Sequence, residues 1–192
     1  MSFLKELQKQ KTKLKETETI VTKTDGQRYK ESKDNTVTIE PNTYGFVVDT
    51  KPDNIPALID DHVYIGAQDC AAENVVENYN IKHILSLGID IQTNVNHKLV
   101  NILDLPETNI TDMLSDVLPF IKAAASRKEN VLVHCNAGVS RTSMVAIAYM
   151  MQYKGMTYEE AYSLVKSRRP AVRPNDGFKR QLETMEPGKI MK

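Results

Sequence analysis

Residues 131–142 read Val131-Leu132-Val133-His134-Cys135-Asn136-Ala137-Gly138-Val139-Ser140-Arg141-Thr142. The first three are wholly apolar, as expected of a short strand whose two faces are both covered by helices. From Arg141 to Lys154 the chain is apolar almost all round, which marks a central buried helix. A loop joins the two. In open α/β sheets, ligands bind beyond the carboxyl ends of the strands. A loop there turns its backbone N–H groups inward as an anion nest, and the helix N-terminus adds positive partial charge. Gly138 permits the tight backbone. The stretch therefore predicts a fold class and, within it, a site for an anion of phosphate size.

The side chains give that site its chemistry. An ordinary thiol, with a pKa of about 8.5, is only a few per cent thiolate at neutral pH. In a nest of N–H donors, at a helix N-terminus and near Arg141, the thiolate of Cys135 is favoured, so Cys135 is the candidate nucleophile. Arg141, at the other rim, presents a planar fork that can grip two phosphate oxygens, which a lysine cannot do. A leaving alkoxide needs a proton, and Asp104, read at the carboxyl end of a strand over Leu99–Leu105, is the candidate donor. Thr142 is placed to hydrogen-bond the sulfur when it leaves in a second step. His134 reads as a buried residue holding the loop.

Outward from this stretch, strands alternate with helices. Val63–Ile65, His83–Leu87 and Leu99–Leu105 read as strands, ended by Gly66, Gly88 and Pro106. Asp69 is read as the cap of a helix to about Tyr79. Leu114, Val117, Leu118, Ile121 and Ala125 recur at helical spacing. Thr157 and Glu160 make a capping box for a helix to about Arg168, and Asn175 begins the last one. This alternation predicts an α/β fold with a mostly parallel central sheet flanked by helices.

The whole chain has 192 residues, with 25 Lys+Arg against 25 Asp+Glu. A zero balance leaves no footprint for nucleic acid or an anionic membrane. Two cysteines make no disulfide framework, and the longest apolar run, Met144 to Met151, is far too short to span a bilayer. No apolar leader opens the chain, and Ser2 stands where myristoylation needs glycine. The expectation is a cytoplasmic protein, with the nucleus as a second location. Residues 1–52 read as a polar and basic extension. It is helical in part over 1–15, extended or disordered over 16–40, with a short strand at Gly45–Asp49. Residues 53–187 form the catalytic domain and 188–192 a tail.

The segment His134 to Thr142 resembles the active-site loop of the cysteine-dependent protein tyrosine phosphatases, and within them the dual-specificity subgroup. Val63-Tyr64-Ile65-Gly66-Ala67-Gln68-Asp69, Ile81 to Leu87, and Arg169-Pro170 through Phe178 with Gln181-Leu182 are similar to that subgroup's other blocks, in the same order. Ile102-Leu103-Asp104-Leu105-Pro106-Glu107-Thr108-Asn109-Ile110 looks like a small atypical branch linked to stress-activated MAP-kinase cascades. The resemblance implies a protein tyrosine phosphatase-like fold and a cysteinyl-phosphate mechanism with no metal and no cofactor. Cys135 would be the nucleophile, Arg141 the phosphate clamp and Asp104 the general acid. Asn136, Ala137, Gly138, Val139 and Ser140 would bind phosphate through their amides, and Asn175 would brace the loop. Thr142 stands where the family usually has serine. Expected partners are phosphoprotein substrates, with kinases of a MAP-kinase cascade among them, and neither nucleic acid nor membrane.

Rival readings fit these residues less well. A phosphoinositide phosphatase usually carries lysines inside the loop, and here those places hold Asn136, Ala137, Val139 and Ser140. A non-catalytic scaffold would have lost part of Cys135, Arg141 and Asp104, and all three are present. Arg168, Arg169 and Arg173 fall near the expected rim. One at least would meet acidic or doubly phosphorylated substrates, while Arg169 is also open to a structural role. Lys9, Lys11, Lys13, Leu14 and Lys15 loosely suggest a kinase-docking segment. Cys70 is the one other cysteine that could pair with Cys135 on oxidation, although its plainer reading is a small core residue.

Overall fold

The computed structural model describes residues 19–22, 28–32, 35–39 and 53–191. The chain divides into two units, Met1–Asn42 and Thr43–Lys192. In the first unit, β1 (Thr19–Thr22), β2 (Arg28–Ser32) and β3 (Asn35–Ile39) form an antiparallel sheet in that order. Thr19 pairs with Glu31, and Arg28 with Ile39. The polar composition over 16–40 suggested extended or disordered chain. The β-branched runs Thr19-Ile20-Val21-Thr22 and Thr36-Val37-Thr38-Ile39 form paired strands instead, because such residues fit a pleated backbone. The helix expected over 1–15, its Lys9–Lys15 docking segment and the strand expected at 45–49 lie outside the described residues.

In the second unit, five strands lie in the order β4 (Ala57–Asp60), β5 (Val63–Gly66), β8 (Asn130–His134), β6 (Ile81–Leu87), β7 (Asn96–Val100). The edge strand β4 is antiparallel to β5, and all other pairs are parallel. β8 sits in the middle, where its backbone is paired on both sides. Its alternation sorts its side chains. Val131 and Val133 enter a large cluster with Leu114, Leu118, Ile121, Met144 and Phe178, whereas Leu132 enters a smaller one with Cys70, Val76, Ile81 and Ile84.

Among the described residues five α-helices flank the sheet: α1 (Glu73–Asn78), α2 (Thr111–Ser126), α3 (Arg141–Lys154), α4 (Tyr158–Arg168) and α5 (Asp176–Glu183). Side chains from α2 to α5 fill the large cluster, and α1 contributes Val76 to the small one. Every residue of α3 from Thr142 to Met151 is buried, as the all-round apolar pattern predicts. The capping box of Thr157 and Glu160 is formed at α4. No helix among the described residues is long and apolar enough to cross a membrane.

Two elements differ from the sequence reading. The helix expected from Asp69 is split into a 3-10 turn, Gln68–Ala71, and α1. The Asp69 carboxylate caps neither and accepts instead from the Asp53 amide at 3.0 Å. The strand expected over Leu99–Leu105 ends at Val100. Beyond it the Gly88 amide takes the Val100 carbonyl at 2.8 Å, and the chain leaves the sheet.

Candidate active site

The loop from Cys135 to Ser140 links the carboxyl end of β8 to the N-terminus of α3. Each of its carbonyls accepts a hydrogen bond that turns it outward. The Cys135 carbonyl takes one from His134 Nδ1 at 3.3 Å, and Asn136 from the Gln68 amide at 2.9 Å. Arg169 serves two, Ala137 from Nη2 at 3.2 Å and Gly138 from Nε at 3.0 Å. Val139 accepts from the Arg173 amide at 3.0 Å, and Ser140 from Ser143 Oγ at 2.7 Å and the Met144 amide at 3.0 Å. Carbonyl and N–H point in opposite directions across a trans peptide. Holding these carbonyls outward therefore turns the amides of residues 136–141 toward the inside of the loop. That is an anion nest built by its surroundings.

Gly138 has φ 63°, and a Cβ there would lie 2.5 Å from the Gly66 carbonyl carbon, so only glycine fits. Cys135, only 3% exposed, closes the bottom of the nest on the same side of the sheet as Val133. Arg141 reaches back under the end of β6, where Nη1 donates to the Leu87 carbonyl at 2.8 Å. Gly88 makes room for it, since a Cβ at 88 would collide with Nη1. Arg141 Nε and Thr142 Oγ1 are buried without a hydrogen-bond partner among the described residues. An unpaired buried donor costs roughly 1–3 kcal/mol, so this is a site prepared for an acceptor.

Asp104 lies in the irregular segment after β7, four positions past the strand end and not at the end itself. Its position is set by α5 and the loop. Ser140 Oγ donates to Asp104 Oδ1 at 2.6 Å, and Asn175 Nδ2 to the same oxygen at 2.7 Å. Oδ2 stands 3.8 Å from Arg141 Nε. With Oδ1 taken by two donors, Oδ2 is the oxygen left to carry a transferable proton. Asn175 also caps α5 through Oδ1 to the Phe178 amide at 2.9 Å, and its own amide donates to Ser140 Oγ at 3.0 Å. It thus ties helix, loop and acid together.

The rest of the segment is clamped to the same helix. Gln181 Nε2 donates to the Thr108 carbonyl at 2.9 Å, and its Oε1 accepts from the Ile110 amide at 3.1 Å. Gly177 lies against Pro106 so closely that any side chain would strike its backbone. Gly177 is not marked by its sequence as part of the site, whereas Arg169, expected at the rim or in a structural role, takes the structural one by holding two carbonyls of the loop. The block Arg169 to Gln181 was visible, but which of its residues reach the loop was not.

Four further candidates occupy different places. Arg169 is buried and also pairs with Asp53 at 2.5 Å, so it supports the loop and does not face solvent. Arg168 lines a cleft with Leu58, Asp60 and Lys154, while Arg173, exposed, lines one of about 420 Å³ with Tyr158, Tyr162 and Lys179. Cys70 packs with Leu132 on the opposite face from Cys135. Its thiol donates to the Asp53 carbonyl at 3.1 Å, and burial pushes its pKa up to about 11. A Cys70–Cys135 disulfide is therefore not favoured.

Over most of its length the chain is similar to known proteins. The family model for the dual specificity phosphatase catalytic domain matches residues 63–187. Dual specificity protein phosphatase 19 of Mus musculus is 36% identical over 150 residues, covering 76% of this chain and 68% of its own. MAP kinase phosphatase with leucine-rich repeats protein 3 of Dictyostelium discoideum is 34% identical over 135 residues, 67% of this chain but 16% of its own. The crystal structure of a mouse dual specificity phosphatase complexed with zinc tungstate superposes with a TM-score of 0.65 at 26% identity. That match covers 75% of this chain and 92% of the other.

Proposed function

Since the chain belongs to the dual specificity phosphatases, and is a protein tyrosine/serine/threonine phosphatase, we propose that it works through a cysteinyl-phosphate on Cys135 and acts within a stress-activated MAP-kinase cascade. The observation that carries the mechanism is the nest of inward amides with a cysteine at its base, a guanidinium at its rim and one free carboxyl oxygen above it.

The phosphoryl dianion sits in the nest, gripped by the amides of 136–141 and by Arg141. The Cys135 sulfur attacks phosphorus. The bond to the leaving oxygen breaks as Asp104 Oδ2 gives that oxygen its proton. In the second step Asp104, now a carboxylate, takes a proton from water. The resulting hydroxide attacks phosphorus, and the S–P bond breaks to return thiolate and phosphate. The buried Thr142 hydroxyl is the donor we assign to the departing sulfur. Arg141 stabilises the charge spread over the equatorial oxygens in both steps.

The pathway reading is supported by the resemblance of Ile102–Ile110 to a branch linked to such cascades, and by a relative named as a MAP kinase phosphatase. Arg173, exposed beside the Val139 carbonyl its amide holds, is the residue we assign to acidic or doubly phosphorylated substrates. We place the activity in the cytoplasm and nucleus.

The test compares wild type with Cys135→Ser on p-nitrophenyl phosphate, phosphotyrosine and phosphothreonine peptides and a phosphoinositide. Peptide turnover lost in the variant supports the reading. Turnover that survives it, or preference for the phosphoinositide, overturns it.

A further inference from the structure

Behind the loop, a hydrogen-bonded chain leads from the nucleophile's own carbonyl to the edge of the sheet. His134 Nδ1 meets the Cys135 carbonyl at 3.3 Å. His134 Nε2 meets Ser86 Oγ at 2.7 Å, and Ser86 Oγ meets His97 Nε2 at 2.8 Å. Ser86 lies on β6 and His97 on β7, so the chain crosses two strands. His134 and Ser86 are fully buried, and His97 is half-buried at the edge strand.

The direction of the protons along this chain follows from one end. A carbonyl can only accept, so His134 Nδ1 must carry a hydrogen. Burial pushes the His134 pKa down to about 4, so near neutrality the ring is neutral and Nε2 is a bare acceptor. Ser86 must then donate to it. Ser86 Oγ is left to accept, and His97 must hold a hydrogen on Nε2 to fill that place.

The opposite polarity is chemically just as complete for the two interior members. If His97 Nε2 were bare, Ser86 would donate to it and accept from His134 Nε2–H. His134 Nδ1 would then face the Cys135 carbonyl lone pair to lone pair. The hydroxyl has no preference of its own between these arrangements. The Cys135 carbonyl at one end and an Nε2–H on His97 at the other both favour the first arrangement, the latter because that hydrogen would otherwise face the Ser86 hydroxyl hydrogen.

We propose that His97, which touches neither the nucleophile nor the phosphate nest, is a positioning residue for the reaction. Its Nε2–H fixes the Ser86 hydroxyl, which fixes the His134 tautomer, which holds the Cys135 carbonyl so that the Asn136 amide points at the sulfur. The charged and titratable groups around the chain are His83, on the same strand as Ser86, the Lys98–Asp116 pair at 2.6 Å beside His97, and Arg141 beyond His134. None of them makes a hydrogen bond to Ser86 or to the His134 ring among the described residues.

The kinetic part rests on Cys135 as nucleophile, while the tautomer part does not. The test uses the full chain with His97→Leu, His97→Gln, Ser86→Ala and the Leu/Ala double variant, each checked for a cooperative melt. Glutamine can present an amide N–H where the imidazole presents Nε2–H. One lost hydrogen bond of ordinary strength corresponds to roughly fivefold in kcat/KM. His97→Leu should lose about fivefold or more on p-nitrophenyl phosphate, His97→Gln should recover most of it, and the double variant should be no worse than Ser86→Ala. Nitrogen-15 spectra should show His134 as the Nδ1–H tautomer in wild type and His97→Gln, and a mixture in His97→Leu. An unchanged His134 spectrum in His97→Leu overturns the proposal whatever the kinetics. A glutamine variant as slow as the leucine one, or losses that multiply in the double variant, does so as well. Failure of Cys135→Ser to abolish turnover would instead strike the mechanism and leave the tautomer result standing.

Discussion

Arg169 reaches Gly138 from behind: its Nε holds the Gly138 carbonyl at 3.0 Å while Nη2 of the same fork holds Ala137 at 3.2 Å and the Asp53 carboxylate. One side chain thus orients two consecutive peptides of the anion nest. A lysine at this position keeps the charge but has no fork to divide between three acceptors. Arg169→Lys should lower kcat/KM at least tenfold. It should also lower the melting temperature by several degrees, since each kcal/mol lost is worth about 2–4 °C in a chain of this size. Steady-state kinetics and a thermal melt check both. Activity retained within twofold would show that the nest keeps its shape without the clamp.

Gly88 gives Arg141 its room. Its φ is 76°, and a Cβ would meet Nη1. Gly88→Ala should displace the guanidinium and so mimic loss of the clamp, with kcat/KM down by about 10² or more on every substrate. Arg141→Lys should match it in direction. If Gly88→Ala were fully active, the guanidinium would not need the place it occupies.

Asp104 should matter in proportion to how poor the leaving group is. Asp104→Asn is expected to slow phosphothreonine and phosphotyrosine peptides by about 10² and to affect p-nitrophenyl phosphate much less, because nitrophenolate leaves without a proton. Asn175→Ala removes one of the two donors on Oδ1 and the α5 cap. It should show a weaker version of the same leaving-group pattern together with about 1 kcal/mol of destabilisation. Equal losses on both classes of substrate would contradict the assignment of Asp104 as acid.

The pH dependence of stability has a definite sign at His134. Its pKa falls from the ordinary 6.5 to about 4, first because burial disfavours the charged ring. Between those values the unfolded chain binds a proton that the folded chain refuses. This contribution is neutral above about pH 6.5, and stability is lost as pH falls toward 4, by up to about 3 kcal/mol. Urea midpoints from pH 8 to 4.5 should fall more steeply for wild type than for His134→Asn. Parallel curves would show that the ring is protonated in the fold.

What could be read from sequence was what is local in it. Cys135, Gly138 and Arg141 lie within one strand–loop–helix passage, so composition and spacing suffice to place them. The mostly parallel sheet was legible for the same reason, strand by strand. Asp104 was legible as a residue type, but its place was not, because Ser140 and the distant Asn175 that caps α5 hold it. Ser86, Gly88 and His97 acquire meaning only when β6 and β7 lie beside the end of β8. The paired strands at 19–39 were hidden because their sequence is polar, and only their pairing reveals them.

The most direct measurement is to acid-quench the wild-type protein within milliseconds of mixing with a phosphotyrosine peptide, digest it, and locate the phosphoryl group by mass spectrometry. A phosphorylated peptide containing Cys135, present during turnover and absent from Cys135→Ser, is the result expected. A phosphoryl group on another residue, or steady turnover by Cys135→Ser, would contradict a cysteinyl-phosphate mechanism.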